Sequence, residues 1–412
     1  MHRSVISLVT LAMLLAAGTA SGRADTVITG DTGEGAYFTI AVPDAWNGEL
    51  VIWNHGFDLD PPAPGPSLGP LAPIQLDEGY AVAASSFRLS GWAVFKTKND
   101  LQSLVDIFKA NFGTPDRVFV TGASLGGIVT AAAIEEAHLG NVTGALSLCG
   151  AVAGSRNWDG ALDLRLIYDA VCEEEPDAFI PGGAEGLPAG VTLTPAELAH
   201  AVNVCTGIMD PDERTPAQSD NLQRILAEAR IPENFLLTTM AYVTFAMGDL
   251  VHDPHKLAGH IGTGNVGVSY DDSLIDATIE RVSPHPGAEN RLGRHYTPTG
   301  DVGDTKIVSL HTDKDGLVVV ENESAYAAVV PPGNLTTAVV VEEVPTHCGF
   351  SEAEVAAGWE SLRGWVAGAP QPTAPSLQFT CQGLEAAGFA GPCRIDPAFV
   401  IPALDTRIRP RE

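Results

Sequence analysis

Basic residues are scarce in this 412-residue sequence. It holds 23 lysines and arginines against 51 aspartates and glutamates, a formal net charge of −28. So acidic a chain has no general field with which to grip a polyanion. That excludes nucleic-acid binding through charge and disfavours anionic membrane surfaces. The excess acid reads first as a solubility device. The six cysteines include no CxxC pair, which argues against zinc-ribbon and thioredoxin-like chemistry. After residue 24 no run reads as apolar enough to span a bilayer, so no membrane insertion is expected. No internal repeat stands out.

What is present begins at the N-terminus. His2 and Arg3 precede an apolar run from Val5 to Ala17, followed by small residues from Gly18 to Ala24. The run falls short of the ~20 residues a spanning helix needs. It reads as a secretory signal peptide over 1–24, cleaved near Ala24. Export to the periplasm or the medium is therefore expected. In an exported chain an even cysteine count favours disulfides. By position Cys172 pairs with Cys205 and Cys381 with Cys393, which leaves Cys149 with Cys348, one of fifteen formal connectivities. Three glycosylation sequons, at Asn141, Asn322 and Asn334, carry no weight without a known host.

Apolar, β-branched runs predict strands over Thr26–Thr29, Tyr37–Val42, Leu50–Trp53, Tyr80–Ala84, Arg117–Thr121, Ala145–Leu148, Lys306–Leu310 and Thr337–Val344. Helical spacing predicts helices over Asn99–Phe112, Leu125–Ala137, Val319–Val330 and Ser351–Ala367, the last opened by a capping box, Ser351 to Glu354. Alternating strands and helices predict an α/β fold with a mostly parallel eight-stranded sheet covered on both faces. The 153–304 interval is too long for a loop. It contains helical patterns at Pro195–Val204, Ser219–Ala229 and Phe235–Met247. It is expected to be a largely helical cap inserted after strand six, dividing the core into 25–152 and 305–369. Residues 370–412 read as an irregular, proline-rich tail stapled by the last cysteine pair.

The chemistry centres on Gly122-Ala123-Ser124-Leu125-Gly126. The motif ends an apolar strand and opens a helix. A serine hydroxyl is a weak nucleophile unless it is exposed, beside a base and near donors for an oxyanion. A sharp strand-to-helix turn supplies the exposure, and small residues two positions either side allow the close backbone approach it needs. The second oxyanion donor is expected after the strand ending at Trp53, where His55-Gly56 leads into Phe57. The donors are assigned to the Leu125 and Phe57 amides, with His55 read as part of a structural turn rather than a base. The acid is expected after the seventh strand, at Asp315, with Asp313 as the alternative and the unchosen aspartate a loop cap. The base is expected after the eighth, at His347, ahead of His311 at a strand end. His252, His255 and His260 in the cap lack a matching ligand set, so no metal is expected. No cofactor is needed either.

The order Ser124, Asp315, His347 resembles that of α/β-hydrolases. The resemblance covers roughly 37–366 with the cap set aside. Gly79-Tyr-Ala-Val-Ala and Ser90-Gly-Trp resemble secreted bacterial hydrolases related to prolyl oligopeptidase-like and esterase sequences. His347-Cys348 resembles the histidine–cysteine pair of tannase and feruloyl-esterase enzymes, in which a disulfide joins the neighbours of nucleophile and base. Here Ala123 stands where the other cysteine of that pattern would be, and a Cys149–Cys348 bridge could do a similar job from the sixth strand. The resemblance implies a secreted serine esterase acting on a small-molecule or polymeric ester. Among the cap's own residues, Phe235–Met247 reads first as an internal core helix and second as an apolar lining for a pocket. The alternative is an exported serine peptidase with the same triad, holding an α-amine with Glu173, Glu174, Glu175 or Asp177. A third reading, a binding protein on a hydrolase scaffold, sits poorly with a complete triad.

Overall fold

The computed structural model describes residues 26–136, 139–405 and 407–409. The expected signal peptide lies outside the described residues. Eight strands form one sheet: β1 (Thr26–Asp31), β2 (Tyr37–Val42), β3 (Glu49–Asn54), β4 (Ala81–Ser85), β5 (Arg117–Ala123), β6 (Val142–Leu148), β7 (Lys306–Thr312) and β8 (Leu335–Val340). Their spatial order is 1-2-4-3-5-6-7-8. β2 runs antiparallel to both β1 and β4, and every pairing from β4 through β8 is parallel.

Parallel strands buried on both faces are apolar at consecutive positions, and their side chains alternate between two cores. In β3, Leu50 and Ile52 enter one core while Val51 and Trp53 enter the other; in β5, Val118 and Val120 are opposed to Phe119. Helices α1 (Ala72–Asp77), α2 (Val94–Phe112) and α3 (Leu125–Glu135) follow β3, β4 and β5. From Leu125 to Ile134 every α3 side is buried, which fits a helix wedged between sheet and neighbours.

Between β6 and β7 lie α4 (Asn157–Val171), α5 (Pro195–Thr206), α6 (Pro216–Ala229), α7 (Leu236–Ala241), α8 (Met247–His252), α9 (Ser273–Thr278) and α10 (Pro286–Arg294). Capping boxes open α5 at Thr194 and α6 at Thr215. A π turn at Tyr242–Ala246 joins α7 to α8. This region corrects one expectation, because Glu233–His252 does have the length and mean hydropathy (1.2) of a spanning helix. Two thirds (67%) of its apolar window is buried inside the fold, as in the core helix of a globular protein.

After β7 come α11 (Glu321–Ala327), α12 (Glu352–Val366) and α13 (Ala374–Ala386). The Ser351–Glu354 capping box forms at α12. Two expectations need correction. The eighth strand ends at Val340 rather than Val344, because the chain leaves the sheet there: Val340 bridges to Ile395 and Val341 N–H donates to Arg394. The tail is not irregular throughout. α13 buries Leu377 and Cys381 against α12, with Thr373 capping it and Pro375 inside its first turn, where proline is tolerated. The cysteines pair as 149–348, 172–205 and 381–393. Of the sequons, Asn322 is fully buried and bonded to Asn157 and Val319, which rules out modification of the folded chain there.

Candidate active site

The turn from β5 into α3 holds Ser124 at φ 57° and ψ −121°, a left-handed conformation that costs a non-glycine residue energy and persists only where surrounding structure enforces it. The enforcement is visible. Ser124 N–H donates to Leu148 O at 3.0 Å, and its carbonyl accepts from Gly127 at 2.9 Å and Ala151 at 3.0 Å. A Cβ on Gly122 would lie 2.2 Å from Gly126 O, and one on Gly126 would lie 2.0 Å from Asn54 O. Both glycines are therefore demanded by close backbone approach.

Ser124 Oγ lies 2.8 Å from His347 Nε2, and His347 Nδ1 lies 2.6 Å from Asp315 Oδ2. The second distance orders the ring: Nδ1–H donates to the carboxylate, leaving Nε2 to accept from the serine hydroxyl. Asp315 is itself fixed, because its Oδ1 accepts from Leu317 N–H at 2.9 Å and Val318 N–H at 3.0 Å. Asp313 instead accepts from Glu342 N–H at 2.8 Å, the loop-capping role. Cys348, next to His347, is tied to Cys149 at the end of β6. Cys149 N–H in turn donates to Leu310 O of β7 at 2.7 Å, so the histidine loop is bolted to β6 and β7.

Gly56 passes directly beside the serine; a Cβ there would lie 3.5 Å from Ser124 Cβ. Phe57 follows it, and Leu125 is the first residue of α3. Among the described residues neither amide donates a hydrogen bond. His55 is half-buried and neutral in role: Nδ1 donates to Gly56 O at 2.8 Å, and the ring stacks on Phe87 at 4.4 Å. Burial pulls its pKa down.

The site opens into a cavity of about 790 Å³, within the range of small-molecule sites. The core contributes Trp53, Phe57, Leu317 and Val318, and the insertion contributes Leu164, Ile231 and Tyr242. Of Phe235–Met247, Thr238, Thr239 and Tyr242 reach the cavity; most of the rest is core of the insertion. Tyr242 stacks on Trp158 at 5.1 Å and meets the Phe57 ring edge-on at 5.1 Å. Glu173, Glu174, Glu175 and Asp177 are exposed and line no part of the cavity, so they do not form the amine site that the peptidase reading required. The sulfurs of Cys149 and Cys348 cluster with His347, but they are bonded to each other and offer no thiolate for a metal. His260 stacks on His285 at 4.2 Å. Among the described residues, the cap histidines do not converge with carboxylates into a ligand set.

Two parts of the cavity wall escaped sequence reasoning. One is the loop after β3, with Pro61, Pro62, Pro64, Pro66 and Pro70; its proline density was the available signal of a rigid wall. The other is the segment around Arg407 and Ile408, which no local pattern marks. It is held from both sides. Arg407 pairs with Glu321 and Asp405 and donates to Arg230 O at 2.8 Å, while Gly160 N–H donates to Arg407 O at 3.0 Å. Arg409 pairs with Asp163 of α4, whose carboxyl is pushed up to about 6 by burial against the opposing pull of that arginine.

No family model matches the chain. A 125-residue stretch is 33% identical to o-phthalyl amidase of Xanthobacter agilis, covering 29% of this chain and 26% of that protein. The chain thus spans about a quarter of the length of the curated relative it matches. Solved structures similar to it include lipase A of Candida antarctica (11% identity, 86% of this chain and 84% of that one, TM-score 0.43). Others are a proline iminopeptidase of Mycobacterium smegmatis (16%, 88% and 100%, 0.37) and an esterase of a Rhodococcus species (13%, 83% and 99%, 0.37). The fold itself is read from the molecule. A sheet ordered 1-2-4-3-5-6-7-8 with one antiparallel strand inside it, carrying a strained serine between its fifth strand and the next helix, makes this chain an α/β-hydrolase by fold.

Proposed function

We propose that the protein is an exported serine hydrolase that cleaves carboxylic esters through an acyl-enzyme on Ser124. The observation that carries this is the unbroken line Ser124 Oγ–His347–Asp315 at the mouth of a largely apolar cavity. His347 Nε2 takes the proton as Ser124 Oγ attacks the ester carbonyl, and Asp315 supports the imidazolium that forms. The Leu125 and Phe57 amides are assigned to the tetrahedral oxyanion. The N-terminus of α3, with its partial positive charge, adds to them. Collapse breaks the acyl–oxygen bond, and the alcohol leaves with the proton from His347. A water then gives its proton to His347 and attacks the acyl carbon; the bond to Ser124 Oγ breaks, that oxygen recovers the proton from His347, and the acid is released. Three disulfides support an oxidising, extracytoplasmic location.

The similarity to an amidase favours one second reading, in which the same triad cleaves an amide. A panel of nitrophenyl esters of increasing acyl length beside aryl and aminoacyl nitroanilides separates the two, with Ser124→Ala as control. Ester turnover that falls at least about 10⁴-fold in Ser124→Ala is expected. Amide turnover without ester turnover selects the second reading. Undiminished turnover in Ser124→Ala removes both.

A further inference from the structure

His311 is the penultimate residue of β7, four residues before Asp315, and its ring is fully buried. Nδ1 lies 3.1 Å from Glu323 Oε1 and Nε2 lies 2.8 Å from Val318 O. With Glu323 a carboxylate both neighbours are acceptors, and a neutral imidazole carries only one N–H. With either tautomer one nitrogen lone pair would face an oxygen lone pair in a site without solvent, which is costly. Turning the ring over would present carbons to both acceptors. Because Glu323 Oε1 already accepts from Ser309 Oγ–H at 2.7 Å, the carboxylate form fits it better than a carboxylic O–H, and beside a carboxylate the arrangement is satisfied only by a ring protonated on both nitrogens.

We infer that His311 is a permanent imidazolium that, paired with Glu323, positions the Asp315–Val318 turn and places a fixed positive charge behind the triad carboxylate. The geometry links the two groups directly: the residue whose carbonyl accepts from His311, Val318, donates its N–H to Asp315 Oδ1 at 3.0 Å. Glu323, on α11, is held in turn by Ser309 Oγ–H at 2.7 Å and faces Thr337 Oγ1 of β8 at 3.5 Å. The charged groups that bear on His311 are Glu323 from α11 and Asp315 from its own loop. Tyr326, buried on the same helix, bears on Glu323 and Glu135. Burial, the largest single influence, would lower the pKa of His311, but the hydrogen bond and charge of Glu323, the charge of Asp315 and the Val318 carbonyl together outweigh it, and the net shift is upward.

The consequence reaches the nucleophile's base. An imidazolium behind Asp315 offsets the carboxylate's charge and so opposes protonation of His347 in the free enzyme. His311 is a positioning residue in this scheme and touches no substrate. The scheme rests on the triad reading, but its first test does not.

Long-range ¹H–¹⁵N spectra of the wild-type protein at pH 7 should show His311 with both ring nitrogens protonated, and a neutral-tautomer pattern would overturn the inference whatever the enzyme hydrolyses. The kinetic test uses Glu323→Gln, which keeps hydrogen-bonding capacity and lets the ring become neutral, and His311→Gln. For the ester turned over best, the acid limb of kcat/KM should move to higher pH by about half a unit or more in His311→Gln and by less in Glu323→Gln. KM should change little. Folded variants with an unmoved acid limb would reduce His311 to a structural ring and contradict the proposal.

Discussion

The cavity has two kinds of wall. The core wall carries Ser124, His347 and Asp315 at the carboxyl ends of strands β5, β8 and β7, each on a turn fixed by backbone hydrogen bonds to a neighbouring strand or within the loop itself. The other wall is made by α4, the end of α6, α7 with the π turn after it, and the segment around Ile408, which ion pairs tie to α4 (Arg409–Asp163) and to α11 (Arg407–Glu321). Reacting groups need placement to a fraction of an ångström, and the hydrogen-bonded sheet supplies it, with β5 and β7 paired on both sides and β8 paired with β7. A pocket wall needs shape, and helices latched by side chains supply that while tolerating change. The same division separates two of the three bridges. Cys149–Cys348 joins strand end to histidine loop within the core, whereas Cys172–Cys205 joins α4 to α5 within the insertion.

Changes on the core wall should strike turnover hardest. Asp315→Asn should lower kcat about 10³- to 10⁴-fold, because the amide no longer fixes the Nδ1–H tautomer of His347. Asp313→Asn should stay within a few-fold. Comparable losses in both would show that the two aspartates are not distinguished as the hydrogen bonds indicate.

Removing the bridges should separate activity from stability. With Cys149→Ser and Cys348→Ser together, kcat should fall more than melting temperature predicts, since the histidine loop loses its anchor. With Cys172→Ser and Cys205→Ser, stability should drop by about 3–4 kcal/mol on the chain-entropy account, while kcat in the folded fraction holds. Denaturant melts beside initial rates check both, and the reverse pattern would dissolve the comparison.

Smaller effects belong to the latched wall. Ile408, fully buried and facing the cavity, should govern substrate size. Ile408→Ala should lower KM for longer acyl chains within about tenfold, and Ile408→Trp should raise it, with kcat for the shortest ester little changed. Smallest is a pH effect on stability. Burial raises Glu78, beside Glu360, to about 7 and Asp163 to about 6, above their ordinary 4.5 and 3.8. The stability these protonated groups allow is full below their unfolded values and is lost as pH rises through the folded ones. Melting temperature should therefore fall by a few degrees from pH 5 to pH 8.

Much of the core was legible in the sequence because strand ends and chemistry coincide there. The apolar run to Thr121 followed by Gly-Ala-Ser-Leu-Gly specifies both a strand and the turn after it. The runs read as ending at Leu310 and Val344 likewise locate Asp315 and His347 by adjacency, although the structure ends the second at Val340. The missed features depend on contacts between distant residues. α13 hides behind Pro370, Pro372 and Pro375, whose turn signal outweighed the buried pair Leu377 and Cys381. The strap at Arg407–Arg409 is defined by Glu321, Asp159 and Asp163, dozens to hundreds of residues away, and no local pattern encodes such a pairing. His311 looked like an ordinary strand-end histidine because Glu323 and Val318 meet it only in the folded chain.

The most direct measurement is labelling with a fluorophosphonate, which phosphonylates activated serines, followed by peptide mass spectrometry. A single adduct on the peptide containing Ser124, formed in parallel with loss of ester hydrolysis and absent from His347→Gln, is the predicted result. Hydrolysis that continues without an adduct at Ser124, or an adduct at a different serine that abolishes it, would contradict the assignment.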